Sequence, residues 1–366
     1  MAIAFPLRKE LRSIEHPGWV ESHLTLEWPA GESELRDALE EIPGASVIGV
    51  DVFGTQVQIA DMKHIVRKAG IMAPITAVIS RAQSGGGLQV QAVSGRDPSP
   101  ILLDGEIVGY QVGGDGAAYC FLGGLTPENP GASREDQTGE VFSKIEKALS
   151  AAGMDFNHVV RTWFYNDEIL NWYAGFNRVR TGFFHRHGIR RMPASTGIGA
   201  PNPAGTALVA KALAVRSDDT AVRTVRSPLQ CDAFAYGSAF SRALEVADSR
   251  SRTLYISGTA SIEPGGKSVH KGDPAGQIKL TMEVVEAILG EAGMNFGDTT
   301  RAVAYLRDPA HISHWNDFSR SLPSLPVIAV GCHVCRDDLL FEIELDASRK
   351  MDSVPAGQSL LSRANQ

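Results

Sequence analysis

Four cysteines in 366 residues, Cys120, Cys231, Cys332 and Cys335, are too few and too unevenly spaced for a disulfide framework. A reducing, cytoplasmic setting is the expectation. Cys332 and Cys335 make a single CxxC with only His333 close by, so no zinc site is expected without a second ligand pair. No apolar run approaches the ~20 residues needed to cross a bilayer. The first residues run straight into Arg8, Lys9 and Glu10, which leaves no room for a secretory h-region. No Lys/Arg run appears and the net charge is −7, so no nucleic-acid partner is expected. Gly265-Gly-Lys267 lacks the strand–loop–helix spacing of a phosphate loop. With no metal and no organic cofactor implied, a small molecule remains as the natural partner. Monomer and homo-oligomer both stay open.

What is present is repetition. A helical pattern at 137–149 ends in Ala152-Gly-Met154, and a second at 277–289 ends in Ala292-Gly-Met294. Val141, Phe142, Ile145 and Leu149 share one helical face, as do Ile278, Met282, Val285 and Leu289. The Gly in each Ala-Gly-Met is suited to a helix C-terminus. A strand follows each helix, at 159–165 and 299–306, with Arg161 matching Arg301 and Tyr165 matching Tyr305. The preceding strands match as well, at 119–124 and 254–258. A fainter copy comes first: a short helix at 35–42, a strand at 45–53, and a hairpin at 74–80 and 88–93 around the glycines 85–87. The unit reads strands, helix, strand, helix, strand, strand, an α+β pattern with helices on one face of a mixed sheet. The expected units are 1–115, 116–222 and 223–350, followed by a tail at 351–366.

The copies differ at the end of the final strand. The last has Glu342 and Glu344; Gln89 and Gln91 stand at the places read as equivalent in the first, and Val209 and Lys211 in the middle. Residues 342 and 344 point to one face of a strand. A carboxyl partly buried in a cleft has a raised pKa and acts as a general acid near neutral pH. An acid kept in only one of the three copies suggests one site per chain.

The unit order, together with Tyr255-Ile-Ser-Gly-Thr-Ala260, Ala292-Gly-Met294, Tyr173-Ala-Gly-Phe-Asn177 and Phe341-Glu-Ile-Glu344, resembles the RidA (YjgF) family. The resemblance implies chorismate-mutase-like units, a pseudo-trimeric arrangement and sites in the clefts between units. Three units on one chain look like the chorismatases, which hydrolyse the enolpyruvyl ether of chorismate. The pieces similar to that branch are 254–262, Ser268-Val-His-Lys-Gly-Asp273, Phe240-Ser-Arg242, Arg161-Thr-Trp-Phe-Tyr165 and Cys335-Arg-Asp-Asp-Leu-Leu-Phe-Glu342. Phe164 stands where chorismatases usually carry Asn, and Asn177-Arg-Val-Arg180 matches their Arg-rich helix only loosely. RidA deaminases keep an Arg two residues after the Pro that opens the penultimate strand; Thr76, Ser195 and Ile328 occupy those positions here.

The resemblance implies Glu342 and Cys335 as catalytic residues, with a Cys at 335 going with the members that give 3-hydroxybenzoate. A carboxylate substrate calls for guanidinium groups, whose planar fork grips carboxylate at two points. The candidates are Arg161, Arg178 and Arg180; the last two are two apart and do not share a helical face. Trp163, Tyr165, Ser257, Gly258 and His270 complete the expected substrate-binding set. Plainer roles stand beside these. Glu342 and Glu344 suit a solvated edge, Cys335 a small buried hydrophobe, and Arg161 with Arg301 a pair of structural ion-pair donors. Trp163 and Tyr165 suit the core, and His270 a loop. An imine or enamine deaminase and a non-catalytic binding protein are the alternative functions.

Overall fold

The computed structural model describes residues 8–28, 31–81, 85–114, 116–217, 220–233 and 237–351. The expected tail beyond Met351 and the segment before Arg8 lie outside the described residues. The first sheet takes β1 (Lys9–His16), β2 (Trp19–Glu27), β3 (Ser46–Gly54), β4 (Ile75–Ile79) and β5 (Gly87–Ser94), with helices α1 (Glu32–Leu39) and α2 (Gln56–Lys68). The second takes β6 (Ser99–Leu103), β7 (Glu106–Gly114), β8 (Ala117–Leu125), β9 (Val159–Asn166), β10 (Ala194–Gly199) and β11 (Leu208–Ser217), with α3 (Arg134–Ala151) and α4 (Ile169–Arg186). The third takes β12 (Ala221–Val225), β13 (Ala243–Ala247), β14 (Ser251–Ala260), β15 (Thr299–Leu306), β16 (Val327–Gly331) and β17 (Phe341–Lys350), with α5 (Pro274–Glu291) and α6 (Ile312–Ser319).

Read from the same edge, the strand orders are β1-β2-β5-β3-β4, β6-β7-β8-β11-β9-β10 and β12-β13-β14-β17-β15-β16. The second and third are the same sheet, and the first is that sheet less its outermost strand. Each has one parallel pair, β3 with β4, β9 with β10 and β15 with β16, bridged by a helix as a parallel connection requires. The fold is α+β, in tandem units.

The hairpin expected at 74–93 is absent. β4 and β5 both pair with β3, from opposite sides. Two short apolar runs joined by glycines suit a hairpin locally, but β3 lies between them and takes both as neighbours, β4 in parallel and β5 antiparallel. The hairpin β6–β7 also lies before the expected boundary at 115, yet β7 pairs with β8 in the middle sheet. We therefore propose unit boundaries where the sheets change, near 95–98 and 218–220.

The two Ala-Gly-Met segments end α3 and α5 in the same way. Gly153 (φ 67°) and Gly293 (φ 65°) take the left-handed conformation. Met154 N–H then donates back to the Leu149 carbonyl at 2.8 Å and Met294 N–H to the Leu289 carbonyl at 2.9 Å. At the other ends, Ser133 and Asp273 side chains accept from the Asp136 and Gly276 amides. Apolar helix faces pack on one side of each sheet: Phe142, Ile145 and Leu149 of α3 against Leu122 and Phe164, and Met282, Val285 and Leu289 of α5 against Ile256 and Ile343. The opposite faces of all three sheets share one further cluster, with Trp19, Phe53, Tyr119, Trp163, Tyr165, Tyr255 and Tyr305 in it. The helices therefore lie outside and the sheets meet one another inside.

Candidate active site

Strand register fixes which residues correspond. Tyr305 faces Glu342, Tyr165 faces Val209, and Phe53 faces Gly87. The counterparts of Glu342 are thus Val209 and Gly87, and those of Glu344 are Lys211 and Gln89. The first-copy equivalents expected at Gln89 and Gln91 are therefore two residues out of register, because that strand begins its pairing at Gly87. At the Glu342 position only the third sheet carries an acid.

Glu342 opens into a cleft of about 250 Å³ between the second and third sheets. On one side α4 presents Tyr173, Asn177 and Arg180, spaced by four and three residues and so on one helical face, and β10 presents Ser195 and Gly197. On the other side stand Gly258 and Ala260 of β14, Phe240 and Arg242 ahead of β13, and Cys335, Arg336 and Leu339 before β17. Three guanidinium groups from three different segments thus line one cleft. Arg180 donates to Asn177 Oδ1 at 2.7 Å and lies over the Phe176 and Phe240 rings. Arg242 donates to the Cys231 carbonyl at 3.0 Å, and Arg336 to the Gly266 carbonyl at 2.8 Å.

Glu342 is 4% exposed. Burial, and then the charge of Glu344, raise its pKa to about 8, against the opposing pull of Arg242, Arg161 and Arg336. That shift favours the protonated form at neutral pH. Glu344 goes the other way. Burial works to raise its pKa, but Arg301 and Arg161 outweigh it and hold the carboxyl below its ordinary value. Burial, followed by the neighbouring Glu342, pushes the Cys335 thiol up to about 12. It is therefore a neutral thiol in this cleft and not a ready nucleophile.

Glu344 is fully buried, not solvated at an edge. Arg161 Nη2 donates to Glu344 Oε2 at 2.9 Å, and Arg301 Nη2 to Glu344 Oε1 at 2.7 Å. Arg301 also meets Asp346 at 3.3 Å, and Lys211 pairs with Asp51. Arg161, Lys211 and Arg301 all lie over the Trp163 ring, at 4.6, 4.8 and 5.2 Å from its centroid. A cavity of about 40 Å³ sits inside this network.

Of the expected substrate contacts, Gly258 and Arg180 line the cleft with Glu342 and Cys335. Arg161 does not reach it; its guanidinium is 0% exposed and committed to Glu344. Trp163 faces the inner network, and Tyr165 is buried with its hydroxyl 3.3 Å from that of Tyr305. Both belong to the wall where sheets meet. Arg178 projects away and pairs with Glu135 at 3.4 Å on the surface. Ser257 is a seam residue: its Oγ accepts from Ser195 N–H at 2.8 Å and donates to the Ser241 carbonyl. His270 occupies a turn at φ 54°, where its carbonyl accepts from Asp273 N–H, outside the cleft. Arg242, Arg336, Tyr173 and Asn177 join the cleft unforeseen as site residues. The signal was in segments already conspicuous, at 240–242, at 173–177 and beside Cys335.

Among the described residues, no group of three or more His, Cys, Asp or Glu side chains is arranged to hold a metal. No described helix is long and apolar enough to cross a membrane.

The family model described as Endoribonuclease L-PSP matches residues 119–211 and 232–349. The chain is similar to a 3-hydroxybenzoate synthase of Streptomyces hygroscopicus, 27% identical over 271 residues, which cover 66% of this chain and 76% of that protein. It is likewise similar to a chorismatase of Streptomyces rapamycinicus, 27% identical over 265 residues, covering 63% of this chain and 76% of the other. A solved chorismatase structure superposes with a TM-score of 0.65 at 20% identity, over 94% of this chain and all of that one.

Proposed function

We propose, from the premise that this chain belongs to the Endoribonuclease L-PSP (RidA) family, that it is a chorismatase-like enzyme with one active site, in the cleft of Glu342. The observation that carries the reading is a buried carboxyl with its pKa raised to about 8, in an inter-sheet cleft lined by Arg180, Arg242 and Arg336. The names and coverage of the two Streptomyces relatives support it. The three units form a pseudo-trimer in this reading, with two clefts lacking the acid.

The chemistry follows from the residues. Glu342 gives its proton to the methylene carbon of the enolpyruvyl ether, which breaks the C=C π bond and leaves an oxocarbenium carbon. The Glu342 carboxylate formed in that step stabilises the cation. Water adds to the carbon and returns one proton to the Glu342 carboxylate; the hemiketal then collapses, its hydroxyl proton passing to the ring oxygen as the bond between that oxygen and the carbon breaks. Pyruvate and the ring alcohol leave. The three guanidinium groups pair with the substrate carboxylates. Cys335 lines the wall as a neutral thiol, and its bearing on whether 3-hydroxybenzoate is formed belongs to the same proposal.

Incubation with chorismate tests the reading, with pyruvate followed by a coupled reductase and the ring product by chromatography. Wild type releases pyruvate and Glu342→Gln does not. Absence of pyruvate from wild type, together with hydrolysis of an imine generated in situ above background, replaces the reading with a deaminase. Absence of both leaves a binding protein.

A further inference from the structure

Glu342 does not stand alone on its strand. Behind it runs a chain of contacts that crosses the seam between the second and third sheets. Glu344 Oε2 accepts from Arg161 Nη2 at 2.9 Å. The same Nη2 donates to Thr196 Oγ1 at 2.8 Å. Thr196 Oγ1 in turn accepts from the backbone N–H of Gly258 at 3.1 Å. Gly258 is the surface on which the Glu342 carboxyl rests, since a Cβ placed there would fall 2.0 Å from Glu342 Oε1. Glu344, Arg161 and Thr196 are each at most 1% exposed.

The geometry points to Glu344, Arg161 and Thr196 as the positioning apparatus of Glu342: a fixed buried anion beside the acid, and a tether that sets the backbone against which the acid packs. Arg161 thereby acts on the acid through Thr196 and Gly258, and not on substrate. This inference rests on the proposed role of Glu342.

The electrostatics of the acid involve every element around it. Its own strand brings Glu344 and, further along, Asp346. Arg161 comes from β9, Arg301 from β15 behind Glu344, Arg180 from α4, Arg242 from the segment before β13, and Cys335 and Arg336 from the loop before β17. Among them Glu344 is the anion held closest to permanent charge, because two guanidinium groups hydrogen-bond to it. An anion beside a carboxyl disfavours its ionisation. The tether has a different signature, since it carries no charge change at all.

Two variants separate these parts. Glu344→Gln keeps the volume and removes the anion, and the Glu342 carboxyl then ionises about one pH unit lower. The readout is a carboxyl titration of the free protein by isotope-edited infrared or carbon NMR, assigned with Glu342→Gln, beside the alkaline limb of kcat/KM against pH. Thr196→Val keeps every charge and cuts the tether: kcat falls about tenfold with KM within twofold and the alkaline limb in place, and Thr196→Ser restores kcat. An unmoved Glu342 titration in a folded Glu344→Gln protein overturns the electrostatic part. Wild-type kcat in Thr196→Val overturns the tether, and that variant decides if Glu344→Gln does not fold. The titration of the free protein needs no substrate. A failure of the chorismate reading therefore shows as missing pyruvate with the titration still shifted, and a failure of this inference as the reverse.

Discussion

Gly258→Ala is the substitution that separates the site from the fold most cleanly. The backbone of Gly258 does not take a left-handed conformation, so alanine meets no backbone strain there. The added Cβ would lie 2.0 Å from Glu342 Oε1 and 3.0 Å from its Cδ, while its next neighbour, Thr196 Cγ2, stays at an ordinary 3.4 Å. Only the tip of Glu342 has to move. An ordinary carbon–oxygen contact requires a retreat of about 1 Å, and a side chain forced off its rotamer costs about 0.5–1.5 kcal/mol. The midpoint of thermal unfolding should therefore fall by only a few degrees. Displacing a reacting group by about 1 Å costs about 10²-fold in rate, or ~2.7 kcal/mol of transition-state stabilisation.

The assay is pyruvate release at saturating chorismate, with unfolding followed by circular dichroism on the same preparation. A folded Gly258→Ala protein with kcat within twofold of wild type would show that the acid does not work from the position seen here. A collapse of stability by several kcal/mol would show that the Glu342 tip is rigidly held and cannot yield.

Other consequences are sharp enough to check. The Glu342 pKa of about 8 in the free protein places the alkaline limb of kcat/KM near that pH. Because a carboxyl with a raised folded pKa keeps its full stabilisation below its unfolded value of 4.5 and loses it as pH rises through the folded one, the stability of Glu342→Gln relative to wild type should grow between pH ~4.5 and ~8 and level off above, read by urea midpoints. His16 is buried between Asp248, at 2.7 Å, and Glu21, at 3.3 Å; burial opposes its charge, but the two carboxylates win and raise its pKa to about 9. Its stabilisation is complete below its unfolded pKa and lost as pH rises through about 9, amounting to roughly 3 kcal/mol, and His16→Asn should flatten the stability profile across that window. Arg161→Met leaves Glu344 with one guanidinium partner in the interior and should destabilise by about 3–5 kcal/mol; a folded variant whose only change is a raised KM would return Arg161 to the role of substrate clamp. Arg180→Met and Arg336→Met each remove a charged donor from the cleft and should lower kcat/KM about 10–100-fold with unfolding midpoints near wild type.

The sequence carried the parts of the fold that are set locally. The helix ends at Ala152-Gly-Met154 and Ala292-Gly-Met294 are legible because one left-handed Gly and one back-donated amide make the motif. Glu342 stands out in the comparison of copies, although the equivalents expected in the first copy are two residues out of register. What stayed hidden depends on which sheet faces which. Arg161 on its strand looks like any inward-facing cation; its burial against Glu344 follows from a contact 183 residues away. The same holds for Trp163, Tyr165 and Ser257, each matched to the right segment but turned to a seam. Arg178 and Arg180 differ only in helical phase, and the phase needed is fixed by where α4 meets the third sheet. Arg336 entered unforeseen because the loop that carries it has no periodicity to show a direction.

The interior network gives a physical reason for joining the three units in one chain. Lys211, Glu344 and Gln89 hold corresponding places on β11, β17 and β5, facing Trp163, Val303 and Asp51. Three identical units would bring three like residues to those places. Three lysines or three glutamates would then repel in a region of low exposure, at several kcal/mol per uncompensated charge. On one chain the copies diverge independently, and three cations, Arg161, Arg301 and Lys211, meet three carboxyl groups, Glu344, Asp346 and Asp51. The same freedom lets Val209 and Gly87 take the places that correspond to Glu342. On the reading proposed for Glu342, an acid in each cleft would need its own flanking anion and its own tether, and of the three interior carboxyl groups only Glu344 stands two residues from such an acid on one strand.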